Sequence, residues 1–182
     1  HPYIFLLKPL LLETFTDNNV LFEGYVANFH LLDKVLVDGQ EAEIEYVENA
    51  TITNPEDPTQ LLYKGPAYKF KKVLVLEDGY HEIKVEAISK SGTNGGIARM
   101  FYVDTKAPEL EVVVTNIDTE DLKAELNIRM FDELGNFVLY LGDSEIYRYE
   151  YPLLKVEPTE MITDYTVNLK EGENVFNFTL VD

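Results

Sequence analysis

The chain has 182 residues, 46% of them hydrophobic and 26% charged, a balance that excludes a largely disordered polymer and leaves room for one or two small domains. Its 33 acidic and 15 basic side chains give a net charge of −18, so a nucleic-acid backbone or an anionic membrane surface would be repelled. No cysteine is present, which excludes a disulfide framework, a thiolate nucleophile and a cysteine-held zinc ion.

The apolar opening from His1 to Leu12 is broken by Lys8 and Pro9, well short of the roughly 20 residues that a membrane-spanning helix needs. It has no initiator Met, basic leader or small-residue cleavage site, so the chain reads as a piece excised from a longer one. Helical periodicity is scarce and period-2 alternation abundant, and this predicts an all-β protein. The predicted strands are Tyr3–Lys8, Val20–Asn28, Lys34–Val37, Glu41–Val47, Ala67–Leu76, Gly79–Ser89, Gly96–Val103, Glu109–Asn116, Lys123–Phe131, Phe137–Leu141, Ser144–Tyr149, Asp164–Leu169 and Asn174–Val181. Their shortness and spacing suit a sandwich. In Gly79–Ser89 the apolar Ile83, Val85 and Ala87 alternate with Glu82, Lys84 and Glu86, so one face is buried and the other wet.

The polar, proline-marked stretch Asp104-Thr105-Lys106-Ala107-Pro108 predicts a joint between two domains, 1–107 and 108–182. Two internal alignments support a repeat. Val35–Gly39 aligns with Val138–Gly142, and Val75–Val85 with Asn168–Phe178. The first copy is longer between Val47 and Pro66, where Asn54-Pro55-Glu56-Asp57-Pro58 is the densest turn-forming stretch, and an inserted loop at the exposed end of a sandwich is expected there. After Ser89 the first copy has one more strand. The second copy ends before its equivalent, which predicts a second sandwich lacking its last strand, with an edge open to pairing. Residues 1–107 carry 10 basic and 16 acidic side chains, and 108–182 carry 5 and 17, so the second domain is the more acidic.

Gly24 in an extended segment, the turn at Asp38-Gly39, Leu76-Glu77-Asp78-Gly79 leading into Ile83, Val85 and Ala87, and the closing Val103-Asp104-Thr105-Lys106-Ala107-Pro108 together resemble bacterial Ig-like or fibronectin-III-like accessory modules. Such modules follow the catalytic domain in Gram-positive subtilisin-like cell-envelope proteases of the lactocepin and C5a-peptidase kind, and occur in some glycoside hydrolases. Family members often carry Asp-x-x-Gly-Asn before the last strand, where this chain has Ser89-Lys90-Ser91-Gly92-Thr93-Asn94. The resemblance implies tandem Ig-like/fibronectin-III-like β-sandwiches, extracellular or at the cell surface, that act as a non-catalytic spacer or docking module. The parent protein it implies is a secreted serine protease. An adhesin-type or carbohydrate-binding surface module is the alternative.

The residues themselves offer little catalysis. Ser89, Ser91 and Ser144 stand in no nucleophile elbow, His81 reads as a solvated residue on the polar phase of its strand, and His30 as a loop contact. Gly92-Thr93-Asn94-Gly95-Gly96 lacks the Lys-Ser/Thr ending of a P-loop and reads as a hairpin loop. No cofactor is implied, with calcium the one candidate, since hard oxygen ligands cluster in acidic loops. Asp118, Glu120 and Asp121 are the first choice for it, ahead of Asp17-Asn18-Asn19 and of Asp132, Glu133 and Asn136 around Gly135. Tyr147 and Tyr149 alternate with Ile146 and, with Tyr151, form either a solvent-facing stripe that could bind a ligand or a core stripe, the core reading being the better. Expected partners are neighbouring domains of the same chain, or a protein or cell-wall ligand, with no nucleic acid and no membrane insertion.

Overall fold

The computed structural model describes residues 1–27, 31–150 and 157–182. Over these residues the chain is all-β, as the period-2 alternation of Val, Ile, Phe and Tyr dictates. Its contacts divide it into two compact units, His1–Thr105 and Lys106–Asp182.

Unit 1 contains β1 (Tyr3–Lys8), β2 (Thr14–Phe15), β3 (Asn19–Ala27), β4 (Leu32–Val37), β5 (Gln40–Glu41), β6 (Glu43–Asn54), β7 (Asp57–Val75), β8 (Gly79–Ser89) and β9 (Asn94–Val103). They form two sheets, ordered β1-β3-β7-β6 and β2-β9-β8-β4-β5. All pairs are antiparallel except β2, which runs parallel to β9. One apolar core takes Ile4, Val20, Phe22, Val26 and Phe70 from the first sheet and Val35, Val37, Val85, Ala87 and Phe101 from the second. Four strands facing a sheet of three central ones in this order is the immunoglobulin-type arrangement. The tight turn joining β4 to β5 needs left-handed backbone at two adjacent residues, and Asp38 (φ 51°) and Gly39 (φ 74°) supply it.

The segment from Val47 to Pro66 departs from expectation. It is not an inserted loop. β6 and β7 continue through it as one long antiparallel hairpin that turns at Asn54–Asp57. Register shifts between Val47 and Ala50 and on either side of Thr53 bend the hairpin. Ala50, Ile52 and Ala67 then pack with Phe5, Leu7 and Tyr25. Phe5 and Leu7 alternate with the core residues Ile4 and Leu6, so this second cluster lies on the outer face of the first sheet. At the tip, Pro55 lines a groove with Leu7, Lys8 and Leu21. The two-residue β2 was also absent from the strands expected from sequence.

Unit 2 contains β10 (Glu109–Asp118), β11 (Lys123–Asp132), β12 (Phe137–Leu141), β13 (Ser144–Tyr149), β14 (Thr159–Asn168) and β15 (Phe178–Val181). Its sheets are β10-β11-β14 and β13-β12-β15. Between them lie Leu126, Ile128, Met130, Phe137, Leu139 and Val167. The pairing repeats that of unit 1. Ala124↔Val167 stands where Val20↔Leu74 does, and Leu141↔Phe178 where Val37↔Val85 does. The second alignment read from sequence has this register. The first is one residue out, because Val35↔Ala87 is matched by Leu139↔Leu180. In unit 1 the strand β8 is flanked by β4 and β9, whereas β15 pairs with β12 alone among the described residues.

Candidate functional site

The turn from β10 to β11 holds the three residues singled out for calcium. Asp118 Oδ1 accepts the backbone N–H groups of Glu120 and Asp121, both at 3.0 Å. These bonds hold its carboxyl below the usual range, the N–H of Asp121 contributing most. Asp118 thus shapes a turn, as aspartate does where backbone donors would otherwise face water. The carboxylates of Asp118, Glu120 and Asp121 do not form a set of oxygens within 4.8 Å of one another. Asp17 is engaged in the same way, accepting the backbone and side-chain N–H groups of Asn19 at 2.8 and 2.9 Å. Asp132, at the end of β11, is buried, and its Oδ2 accepts the N–H groups of Leu134 at 3.1 Å and Asn136 at 3.2 Å. Burial pushes its carboxyl upward, a push that those backbone donors oppose and the neighbouring Asp182 reinforces.

Tyr147 and Tyr149 lie on β13, opposite Leu139 and Phe137. Both rings stack on Phe137, with centroids 6.3 Å and 5.6 Å away and interplanar angles of 21° and 24°. Phe137 is buried, and the two tyrosines pack against the unit 2 core together with Ile146. Tyr151 and His30 lie outside the described residues.

His81 faces inward. It shares the phase of Ile83 and Val85, pairs with Phe101 on β9, and stacks on that ring at 5.7 Å and 27°. Its Nε2 lies 2.6 Å from the carbonyl oxygen of Glu77. The expectation of a solvated position on the polar phase is therefore corrected. Counting residues from Ile83 places His81 on the apolar phase, a signal available in the sequence. The hydroxyls of Ser89, Ser91 and Thr93 form one cluster. Ser89 Oγ donates to the Thr93 carbonyl at 2.6 Å, and the three oxygens lie 2.9–3.2 Å apart. This cluster closes the β8–β9 turn, where Gly92 takes φ 87°.

Sequence reasoning named no cleft, yet unit 2 has one of about 430 Å³. Its walls include Ala124, Leu126, Val167, Leu169, Asn174 and Phe176. The strand register makes these the counterparts of Val20, Phe22, Leu74, Leu76, His81 and Ile83 in unit 1. There, Phe22 and His81 both pack on Phe101, with ring centroids 5.7 Å away in each case. The cleft is thus the position that Phe101 of β9 occupies in unit 1.

No family model matches the chain, and no curated protein matches it. Among solved structures, similar strand arrangements occur in dimeric latent PorU from Porphyromonas gingivalis and in fibronectin(III)-like modules of CbhA from Clostridium thermocellum, each with a TM-score of 0.38 and 10% identity. The alignments cover 99% of this chain and 18% of PorU, and 98% of this chain and 92% of the CbhA modules. The secreted serine protease VesC from Vibrio cholerae aligns over 94% of this chain and 44% of its own, with a TM-score of 0.24 and 14% identity. At these scores the likenesses carry no functional weight, and the all-β sandwich architecture rests on the chain's own sheet order and core.

Proposed function

We propose that the chain is a non-catalytic accessory module, a spacer or docking element of a larger secreted or cell-surface protein. The parent protein implied by the sequence resemblance is a subtilisin-like serine protease. The observation that carries this reading is where the reactive side chains go. Ser89 and Ser91 close a turn, Ser144 stands exposed at the start of β13, His81 is spent on Phe101 and a backbone carbonyl, and Asp118 and Asp132 hold loop N–H groups. A hydrolytic site needs nucleophile, base and orienting group within reach of one another. A spacer needs only stiff sandwiches. Stacking of Tyr147 and Tyr149 on Phe137 favours a packing role over a ligand platform.

The test pairs chemistry with stability. The purified chain is expected to take no label from a fluorophosphonate probe and to release no product from casein. Tyr147→Ala and Tyr149→Ala are each expected to lower the unfolding free energy by about 1.5–3 kcal/mol, the range for removing a packed aromatic that is only partly buried. Labelling that Ser89→Ala or Ser144→Ala abolishes would overturn the proposal. Loss of binding to cell-wall polysaccharide on Tyr149→Ala, with the melting midpoint unchanged, would favour the surface-binding alternative.

A further inference from the structure

The edge of β9 in unit 1 is covered at one end only. β1 stays with the first sheet as far as Lys8, and the chain reaches β9 at Leu12, whose N–H donates to the Met100 carbonyl at 2.8 Å. From there the Glu13 carbonyl accepts the N–H of Tyr102, and β2 pairs with Tyr102 and Val103. The even-numbered residues of β9 thus aim their main-chain groups away from β8, and among the described residues those of Gly96 and Ala98 meet no other strand. The other sheet of unit 1 has guarded edges. β1 carries Lys8, Pro9 and a register shift, and β6 carries Glu43, Glu45 and three register shifts. β9 has none of these devices, since its ladder with β8 runs unbroken from Asn94 to Val103 without a proline or an acidic residue.

We infer that this edge is the interface through which two copies of the chain associate, β9 running antiparallel to the partner's β9 about a two-fold axis. Charge selects the register. Gly96 stands beside Glu86 of β8 and Ala98 beside Lys84, and Lys84, Gly96 and Ala98 line a depression of about 480 Å³ on the outer face. With Ile97 on the axis, Gly96 and Ala98 exchange N–H···O=C bonds with the partner's Ala98 and the partner's Gly96. Each row across the interface then reads Lys84, Ala98, the partner's Gly96, the partner's Glu86. Opposite charges end every row, three strand spacings or about 14 Å apart. Only small residues lie between them, so an extended lysine and an extended glutamate can meet above. Moving the axis by one residue reverses this. On Ala98 it sets Lys84 against the partner's Lys84, and on Gly96 it sets Glu86 against the partner's Glu86. A foreign strand would have to bring this order of charges with it, whereas a second copy supplies it by symmetry. This inference goes beyond the spacer reading and stands without it.

The test is analytical ultracentrifugation of the intact chain in 0.15 M sodium chloride, where a screening length of about 8 Å mutes repulsion between copies of net charge −18. A reversible dimer with a dissociation constant of about 100 μM is expected, in keeping with an interface below the standard size. Ala98→Pro removes a donor that β8 does not use, and it is expected to abolish the dimer while the far-UV circular dichroism holds. Lys84→Glu, at an exposed side chain, is expected to weaken the dimer at least about tenfold, and Lys84→Glu combined with Glu86→Lys to restore it. The chain has no cysteine, so the register can be read by cross-linking. Ile97→Cys is expected to give a disulfide-linked dimer on mild oxidation and Ala98→Cys to give none, because of the two only residue 97 meets its own copy within disulfide reach. A chain that stays monomeric at about 1 mM overturns the inference, as does a dimer that survives Ala98→Pro. Equal weakening by Lys84→Glu and by the double exchange overturns it too, as does cross-linking through Ala98→Cys in place of Ile97→Cys.

Discussion

Gly24 sits in the middle of β3, where a glycine ordinarily weakens a strand for want of a side chain to pack. A Cβ there would collide with the carbonyl oxygen of Phe5 and stand 2.8 Å from Cζ of Phe70. Phe5 belongs to the neighbouring strand and Phe70 is fully buried, so neither can move aside without opening the core. Gly24→Ala is therefore expected to destabilise unit 1 by about 1–3 kcal/mol, the usual cost of overpacking. The check is a lower urea midpoint followed by far-UV circular dichroism, and an unchanged midpoint would contradict the packing described. A glycine inside an otherwise alternating strand is a legible sign of close approach, although the identity of the approaching group is not. The inward stacking of His81 was equally legible from its phase. The roles of Asp118 and Asp132 were not, since a carboxylate that caps a turn and one that awaits a cation look alike until the backbone donors are placed.

At the scale of elements, alternation marked nearly every strand in both units, because one buried and one wet face impose period 2 wherever a strand is half covered. It failed on the outer half of the β6–β7 hairpin. Register shifts there interrupt the period, and the buried residues Ala50, Ile52 and Ala67 are few among exposed polar ones. An insertion of this length reads as a loop when its sole apolar partner is the outer face of a distant strand. The distinction has a measurable consequence. Ile52 is fully buried against that face, so Ile52→Ala is expected to cost about 2–4 kcal/mol. A solvated loop would lose nothing measurable. The comparison is an equilibrium denaturation of Ile52→Ala beside Leu61→Ala, since Leu61 is on the same hairpin but exposed and should change stability by less than about 0.5 kcal/mol.

At the scale of the whole molecule, the repeat explains more than either unit alone. Offsets between short turn motifs revealed two copies in the sequence, and the ladders assign each strand of unit 2 a counterpart in unit 1. The two copies also differ in charge. In unit 2 Arg129 is held between Glu160 at 2.9 Å and Glu109 at 3.5 Å, and Arg148 between Glu145 and Glu150 at 2.5 and 2.7 Å. These pairs are solvent-exposed and individually weak, and many more carboxylates surround them than they can neutralise. Self-repulsion in a chain of net charge −18 opposes the compact state, and salt that shortens the screening length from about 30 Å at 0.01 M to about 10 Å at 0.1 M relieves it. The melting midpoint is therefore expected to rise with sodium chloride over that range, by about 4–8 °C for each kcal/mol of repulsion removed from a domain of this size. Calcium chloride at equal ionic strength separates screening from binding. Midpoints that coincide in the two salts mean screening alone, because Asp118 is already spent on its own turn. An excess rise in calcium that Asp118→Asn removes would place an ion at that loop. A midpoint that falls with sodium chloride would show instead that the arginine-centred pairs outweigh the repulsion around them.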